Sequence, residues 1–303
     1  MRLASRRERS DDGTIDEGDA ASNNEIILKA ERAALAKKGS AMSEGGIVGT
    51  LSRRIAAGEC VFAAWVGINE PMIAEQLARD GFDTAVMEMQ HGSVDVTGAL
   101  RGIAAVALAG KPAIVRIPIG DFATASRVID AGAAAVIAPM INSAADARAF
   151  ADFMKFPPLG QRSWGPRAAL ALTGYEPSDY LRNANQITLA IAMVETRQAI
   201  AALDDILATP GIDGVFVGPS DLSIALSDGG AVEAQSQDVD SALTTIVAAA
   251  RKHGKFAAAF CHTGERAHDL ARRGFSLCSV STDQLLLRLA ARQELAKARA
   301  GLA

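Results

Sequence analysis

Two carboxylates occupy corresponding places in one short stretch of this chain. In ITLAIAMVETRQAI, residues 187–200, an apolar run ends at Glu195; in IDGVFVGPSDLS, residues 212–223, a second run ends just before Asp221. Runs such as LAIAMV, with no polar alternation, mark strands buried on both faces, as in parallel sheets. Between them, RQAIAALDDILATPG has apolar residues at helical spacing and closes on Pro-Gly. The stretch therefore reads as a β-α-β unit with an acid at or just past the carboxyl end of each strand, where parallel sheets gather ligands. Two carboxylates meeting there suit a hard divalent cation, because Mg²⁺ takes oxygen ligands and often binds through one or two carboxylates, keeping water elsewhere. Ordinary roles stay open beside this one: Glu195 could pair with Arg197, and Asp221 could cap the helix that it opens.

The surrounding elements must bring such groups together. From Ile47 onward, apolar strand-like runs alternate with helical patterns: CVFAAWVGI, FDTAVMEM, PAIVRIP, AAAVIAPMI, LAIAMV, IDGVFVG, KFAAAFCHT and FSLCSV are the strands, each followed by a helix. Asp121 and Ser143 stand where N-caps are expected. The segment PPLGQRSWGPRAALALTGYEPSDYLRNAN reads as irregular and is longer than an ordinary connection, which points to a functional loop. Eight β-α units in residues 43–303 predict an α/β fold, a TIM (β/α)8 barrel. A doubly wound open sheet is the competitor, but WVGINEP after the first strand carries no glycine-rich phosphate turn.

In a barrel the strand ends meet at one face. Here they supply Trp65, Glu88 with His91, Arg116, Met140 with Asn142, Glu195, Asp221, His262 and Asp283. His91 follows a buried strand and precedes glycine, so it could be a satisfied structural histidine or a base whose ring Glu88 orients. Arg116 lies among apolar residues in AIVRIP, where an idle guanidinium is too costly. Its fork suits a substrate carboxylate or an enolate oxygen, and a structural ion pair with Glu88 or Asp121 is the alternative. A cation site, an arginine and a base around a small oxyanion are the equipment of enolate chemistry. No lysine stands at a strand end, which disfavours a Schiff-base mechanism.

The motifs AAWVGI, GFDTAVMEMQHG, PAIVRIP, VIDAGAAAVIAPMI, FPPLGQRSWGP, VETRQAI and GVFVGPSDLS together resemble the HpcH/HpaI aldolase family of metal-dependent class II pyruvate aldolases, from about Ile47 to the carboxyl end. The resemblance implies that Glu195 and Asp221 bind the divalent metal (Mg²⁺, or Mn²⁺ or Co²⁺) and that His91 and Arg116 are catalytic. It further implies that Glu88 is the acidic partner of His91 and that Trp65 and Ser220 face the substrate. Asp130 matches a substrate-site aspartate that the family offers across a subunit boundary, within a homohexamer built as a trimer of dimers. Two positions depart from the family pattern: Glu88 replaces the usual aspartate, and Gln90 replaces a glutamate before the histidine. The implied reaction is reversible cleavage of a 4-hydroxy-2-oxo acid to pyruvate, or a related 2-oxo acid, and an aldehyde. The alternatives are a carbon–carbon lyase of the citrate-lyase-β or malyl-CoA-lyase kind acting on a CoA thioester, and a non-catalytic metabolite-binding barrel.

Composition narrows the partners. The chain has 303 residues, 49% hydrophobic and 22% charged, with a formal net charge of −4. It has no long basic stretch, so neither nucleic acid nor an anionic membrane is expected as a partner. Three cysteines without CxxC spacing fit a reducing compartment, and Cys60 and Cys278 read as inert thiols within strands. No apolar run approaches a membrane span and the amino terminus has no apolar signal core, so a cytoplasmic protein is expected. Residues 1–42 are polar and charged and are expected to form a disordered extension, with one short helix in IILKAERAALAKK and Met42 as a candidate natural start.

Overall fold

The computed structural model describes residues 45–301, so the expectations for residues 1–42 lie outside the described residues. Eight parallel strands close into a barrel in sequence order, each hydrogen-bonded to the next and β8 to β1. The strands are β1 Val61–Val66, β2 Thr84–Glu88, β3 Ala113–Arg116, β4 Ala135–Ala138, β5 Leu189–Met193, β6 Gly214–Val217, β7 Phe256–Ala259 and β8 Leu277–Ser279. The barrel expected from the sequence is present, with all eight strand-like runs in place.

Alternation along each strand divides the apolar residues into two layers. Val61, Ala63 and Trp65 of β1, Val86, Ile114, Ile137, Ile191, Phe216, Ala258 and Leu277 face inward and fill the barrel. Ala64, Val66, Met87, Val115, Val136, Ala192 and Val217 face outward against the helices. Buried on both sides, the strands lose the polar alternation of a half-solvated sheet, which is why they read as continuous apolar runs.

The helices in chain order are α1 Val48–Ala56, α2 Pro71–Arg79, α3 Val96–Leu108, α4 Phe122–Asp130, α5 Ala144–Met154, α6 Arg167–Thr173 and α7 Pro177–Ile187. They continue with α8 Arg197–Ala201, α9 Leu203–Ala208, α10 Pro219–Leu226, α11 Gln237–Lys252, α12 Gly264–Arg272 and α13 Asp283–Arg299. Asp121 and Ser143 cap α4 and α5 as expected, accepting from the N–H of Thr124 and Asp146. Val48 and Leu51 of α1 and Tyr180, Ala184 and Ile187 of α7 join the interior cluster where β1 and β5 begin.

Three details differ from the sequence reading. The segment after α5 is not irregular throughout, because it contains α6 and α7. Their signals are ordinary ones: Gly174, with φ 68°, ends α6, and Pro177 opens α7. The helix expected between β5 and β6 is interrupted at Ala202 into α8 and α9. Cys60 precedes β1 rather than lying in it and is half-buried, whereas Cys261 and Cys278 are buried; all three are free thiols.

Candidate active site

Strand parity selects the side chains that reach the carboxyl-end mouth. Thr84, Val86 and Glu88 share the inner face of β2, and Ile114 and Arg116 share that of β3. Glu88 and Arg116 are register partners, and Arg116 Nε donates to Glu88 Oε2 at 2.5 Å. Glu88 Oε1 accepts the backbone N–H of Gln90 at 2.7 Å and of His91 at 2.9 Å. Both Glu88 oxygens are thus engaged by Arg116 and by the turn carrying His91. The carboxylate holds that turn by its backbone, in place of the expected direct hold on the imidazole. His91 itself is exposed and lines the cavity, so it is not a satisfied core histidine.

Arg116 is 7% exposed, with its guanidinium carbon 4.9 Å from the Trp65 ring centroid and Nη1 3.8 Å from Met193 Sδ. The ion pair foreseen with Glu88 exists, and the one with Asp121 does not, since Asp121 caps α4. Pairing does not withdraw Arg116 from the site: it lines the same cavity as Glu88, His91, Asp221 and Trp65, a volume of about 250 Å³. Trp65 packs on Phe216 and, edge to face, on Phe260, which makes an aromatic wall.

Glu195 follows β5 at the parity of Ile191 and Met193 and is 2% exposed. Its Oε1 accepts the N–H of Met140 at 3.0 Å, aimed there by a left-handed backbone at Met140 with φ 57°. Its Oε2 is buried without a hydrogen-bond partner. Burial, reinforced by the charge of Asp221, pushes the Glu195 carboxyl up to about 7 against the pull of the Met140 N–H. A Cβ at Gly218 would fall 2.3 Å from that free oxygen, so only glycine leaves the space in front of it open. Asp221, in the first turn of α10, lines the cavity beside Ser220. Arg197 is not a partner of Glu195, since its Nε donates to Ala225 O and Asp228. Asp221 makes no cap bond, since Gly218 holds the N-cap of α10 without one.

An orphaned buried carboxylate oxygen, a glycine opposite and a second carboxylate nearby fit a divalent cation, whose charge would offset the cost of burying Glu195. Among the described residues no three His, Cys, Asp or Glu side chains form a ligand set of their own. A two-carboxylate donor set with the other positions left to water and substrate is the habit of Mg²⁺.

Other candidates fall elsewhere. Asp130 ends α4, pairs with the buried Arg162 at 2.5 Å and does not line the cavity of its own chain. His262 packs edge-on against Phe260 and lines a separate crevice with Arg266. Asn142 accepts from Thr196 Oγ1. Gly218, Phe260 and Gln284 are among the cavity residues that had no role in the sequence reading. Phe260 was accessible by parity from Phe256 and Ala258; the other two depend on how loops approach one another.

The fold and this mouth define a TIM-barrel enzyme of small-molecule chemistry. The chain belongs to the HpcH/HpaI aldolase/citrate lyase family, whose sequence profile matches residues 62–290. It is thereby an aldolase, a carbon–carbon lyase. It is 36% identical over 243 residues to the hydroxypyruvate/pyruvate aldolase of Rhizorhabdus wittichii, covering 80% of this chain and 96% of that protein. It is 30% identical over 231 residues to the 4-hydroxy-2-oxo-heptane-1,7-dioate aldolase of Klebsiella pneumoniae, covering 76% and 86%. The crystal structure of an HpcH/HpaI aldolase/citrate lyase family protein from Burkholderia cenocepacia superposes with a TM-score of 0.75 at 30% identity, covering 83% of this chain and 99% of that one. Among the described residues no helix is long and apolar enough to cross a membrane.

Proposed function

We propose that the chain is a divalent-metal-dependent aldolase that reversibly cleaves a 4-hydroxy-2-oxo acid to pyruvate, or a related 2-oxo acid, and an aldehyde. The observation that carries this reading is the free, buried Oε2 of Glu195, which faces Gly218, a residue that lines the cavity together with Asp221, Arg116 and His91. Glu195 and Asp221 would hold the metal, which when bound supplies a Lewis acid for the 2-oxo acid's carboxylate and keto oxygens. His91 takes the proton of the C4 hydroxyl, and the C3–C4 bond breaks. The aldehyde departs, and the electron pair passes to the pyruvate enolate. Arg116 faces the enolate oxygen with a charge fixed by Glu88 and Trp65, so it needs no reorganisation as the negative charge grows. The proton held by His91 is returned to C3, which completes pyruvate and restores the neutral base. Trp65 and Phe260 flank the reacting end as an aromatic wall, and Ser220, which lines the same cavity, would contact the substrate.

The test is pyruvate release from a panel of 4-hydroxy-2-oxo acids with and without Mg²⁺, Mn²⁺ or Co²⁺. Turnover that survives exhaustive chelation overturns the metal, and acyl-CoA dependence moves the chain to the citrate-lyase-like alternative.

We also infer a homohexamer, a trimer of dimers in which Asp130 serves a neighbouring copy. The leucines Leu287, Leu289 and Leu295 exposed on α13 support association. Light scattering that finds a fully active monomer overturns this.

A further inference from the structure

The cavity has two chemically different ends. At one end stand Asp221, Arg116 and Met193, with the buried Glu195 behind Gly218. His91, Gly67 and Gln284 stand after β2, β1 and β8, which are neighbours across the closure of the barrel. On the aldolase reading, a 2-oxo acid held by the first end turns its C3 toward His91. The partner aldehyde must then lie between His91, Gly67 and Gln284.

The charges at that second end are lopsided. Asp283 is 4% exposed, and its carboxylate accepts the N–H groups of Gly67 at 3.1 Å, Ile68 at 2.9 Å and Gln284 at 2.7 Å. These bonds fasten the loop after β1 to the start of α13, beside the aldehyde space. The other acids lining the cavity are Glu88 and Asp221. Apart from the imidazole of His91, the cation lining it among the described residues is Arg116, already neutralised by Glu88. On the aldolase reading the metal offsets Glu195 and Asp221, and Arg116 offsets Glu88. An aldehyde bearing its own carboxylate or phosphate would then meet Asp283 with no further guanidinium or ammonium among the described residues of the lining to answer it. A hydroxyl would meet the amide of Gln284, which can donate and accept. Gln284 Nε2 and Asp283 Oδ1 each lie 3.7 Å from where a Gly67 Cβ would stand, so the amide and the acid border one small space.

We propose that this end of the cavity selects short, uncharged aldehydes over aldehydes carrying carboxylate or phosphate, and that Gln284 above Asp283 sets the choice. The inference rests on the aldolase reading and goes beyond it in naming the class of the second substrate.

The experiment measures kcat/KM for the aldehyde in the condensation direction, with the full chain, saturating pyruvate and Mn²⁺. Two pairs are compared: butanal with succinic semialdehyde, and glyceraldehyde with glyceraldehyde 3-phosphate. The uncharged member of each pair is expected to be favoured by about tenfold or more, and the ratio to shrink as salt is added. Gln284→Lys places a cation at the exposed rim and is expected to lower the ratio about tenfold; Gln284→Glu is expected to raise it. Thermal unfolding checks that both variants keep the barrel. Equal use of charged and uncharged aldehydes, or a ratio indifferent to both substitutions, overturns the inference and leaves the aldolase reading standing. No condensation with any aldehyde, and no pyruvate release in the cleavage direction, overturns both.

Discussion

Glu88 and Arg116 are register neighbours on β2 and β3, and one carboxylate binds both the guanidinium and the turn that presents His91. The candidate oxyanion-binding group and the candidate base therefore share a support. Arg116→Ala is expected to lower kcat by about 10²–10³, as for a lost oxyanion donor, with a smaller change in KM. Arg116→Lys should recover part of this, because a point charge cannot donate to Glu88 and face the substrate as the planar fork does. Steady-state kinetics at saturating metal decide the matter: a KM effect with unchanged kcat would make Arg116 a substrate anchor.

Removing Glu88 strands a buried cation. Glu88→Ala is expected to cost about 3–5 kcal/mol of stability, the usual penalty for breaking a buried pair from one side. It should also lower kcat by loosening the His91 turn. Urea denaturation and kinetics on one preparation check both effects, and a variant with native stability would show that Arg116 finds another partner.

Metal binding should report on Glu195 and Asp221 directly. Mn²⁺ at a hundredfold excess over its Kd is expected to stabilise the unaltered chain by roughly 2.7 kcal/mol and so to raise its melting temperature. The shift should vanish in Glu195→Gln and shrink strongly in Asp221→Asn. Calorimetry returning the same Mn²⁺ affinity for all three proteins would remove the assignment.

His91→Ala should separate proton transfer from binding. The expected loss in kcat is about 10²–10⁴, with Mn²⁺ affinity unaltered. If turnover falls by less than about tenfold, the proton moves through another group.

How much of this was legible beforehand follows from particular residues. Trp65, Glu88 and Arg116 were readable because a strand's period of two, anchored by its apolar residues, fixes which strand-end side chains point inward. The same rule reached Phe260 in FAAAF, where it went unused. Glu88 illustrates a limit: an acid three residues before a histidine suggests a contact with the ring. The shorter reach to the N–H groups of Gln90 and His91 becomes visible only once the turn is folded. Gly218 and Gln284 depend on approaches between separate loops, which spacing along the chain does not encode. The longest miss, α6 and α7, had its signals present in Gly174 and Pro177, outweighed by the prolines and glycines that precede them.

A pH effect away from the site follows from Asp240, whose carboxyl is held below its ordinary value first by Arg266 and then by Arg273. A depressed carboxylate adds stability above its unfolded pKa of about 3.9, and the contribution is lost as pH falls through the lower folded value. Because Asp240 is 46% exposed, the effect is screened, and Asp240→Asn should cost about 1 kcal/mol or less at pH 7. Denaturation at pH 7 and pH 3 should show the cost of the substitution at the higher pH and its shrinkage at the lower; a constant difference would assign it to packing.

The bonds from Gly67 to Asp283 join residues 216 positions apart. Closing a loop of that length costs chain entropy, which disfavours the contact until the strands around it are in place. During synthesis, Glu195 and Asp221 leave the ribosome well before Asp283 does. A nascent chain can thus fold the strands that carry those carboxylates while the space beside His91 is still unwalled. On the proposed reading, the aldehyde space is walled only after α13 has emerged and β8 has met β1, so translation itself sets the earliest moment of catalysis.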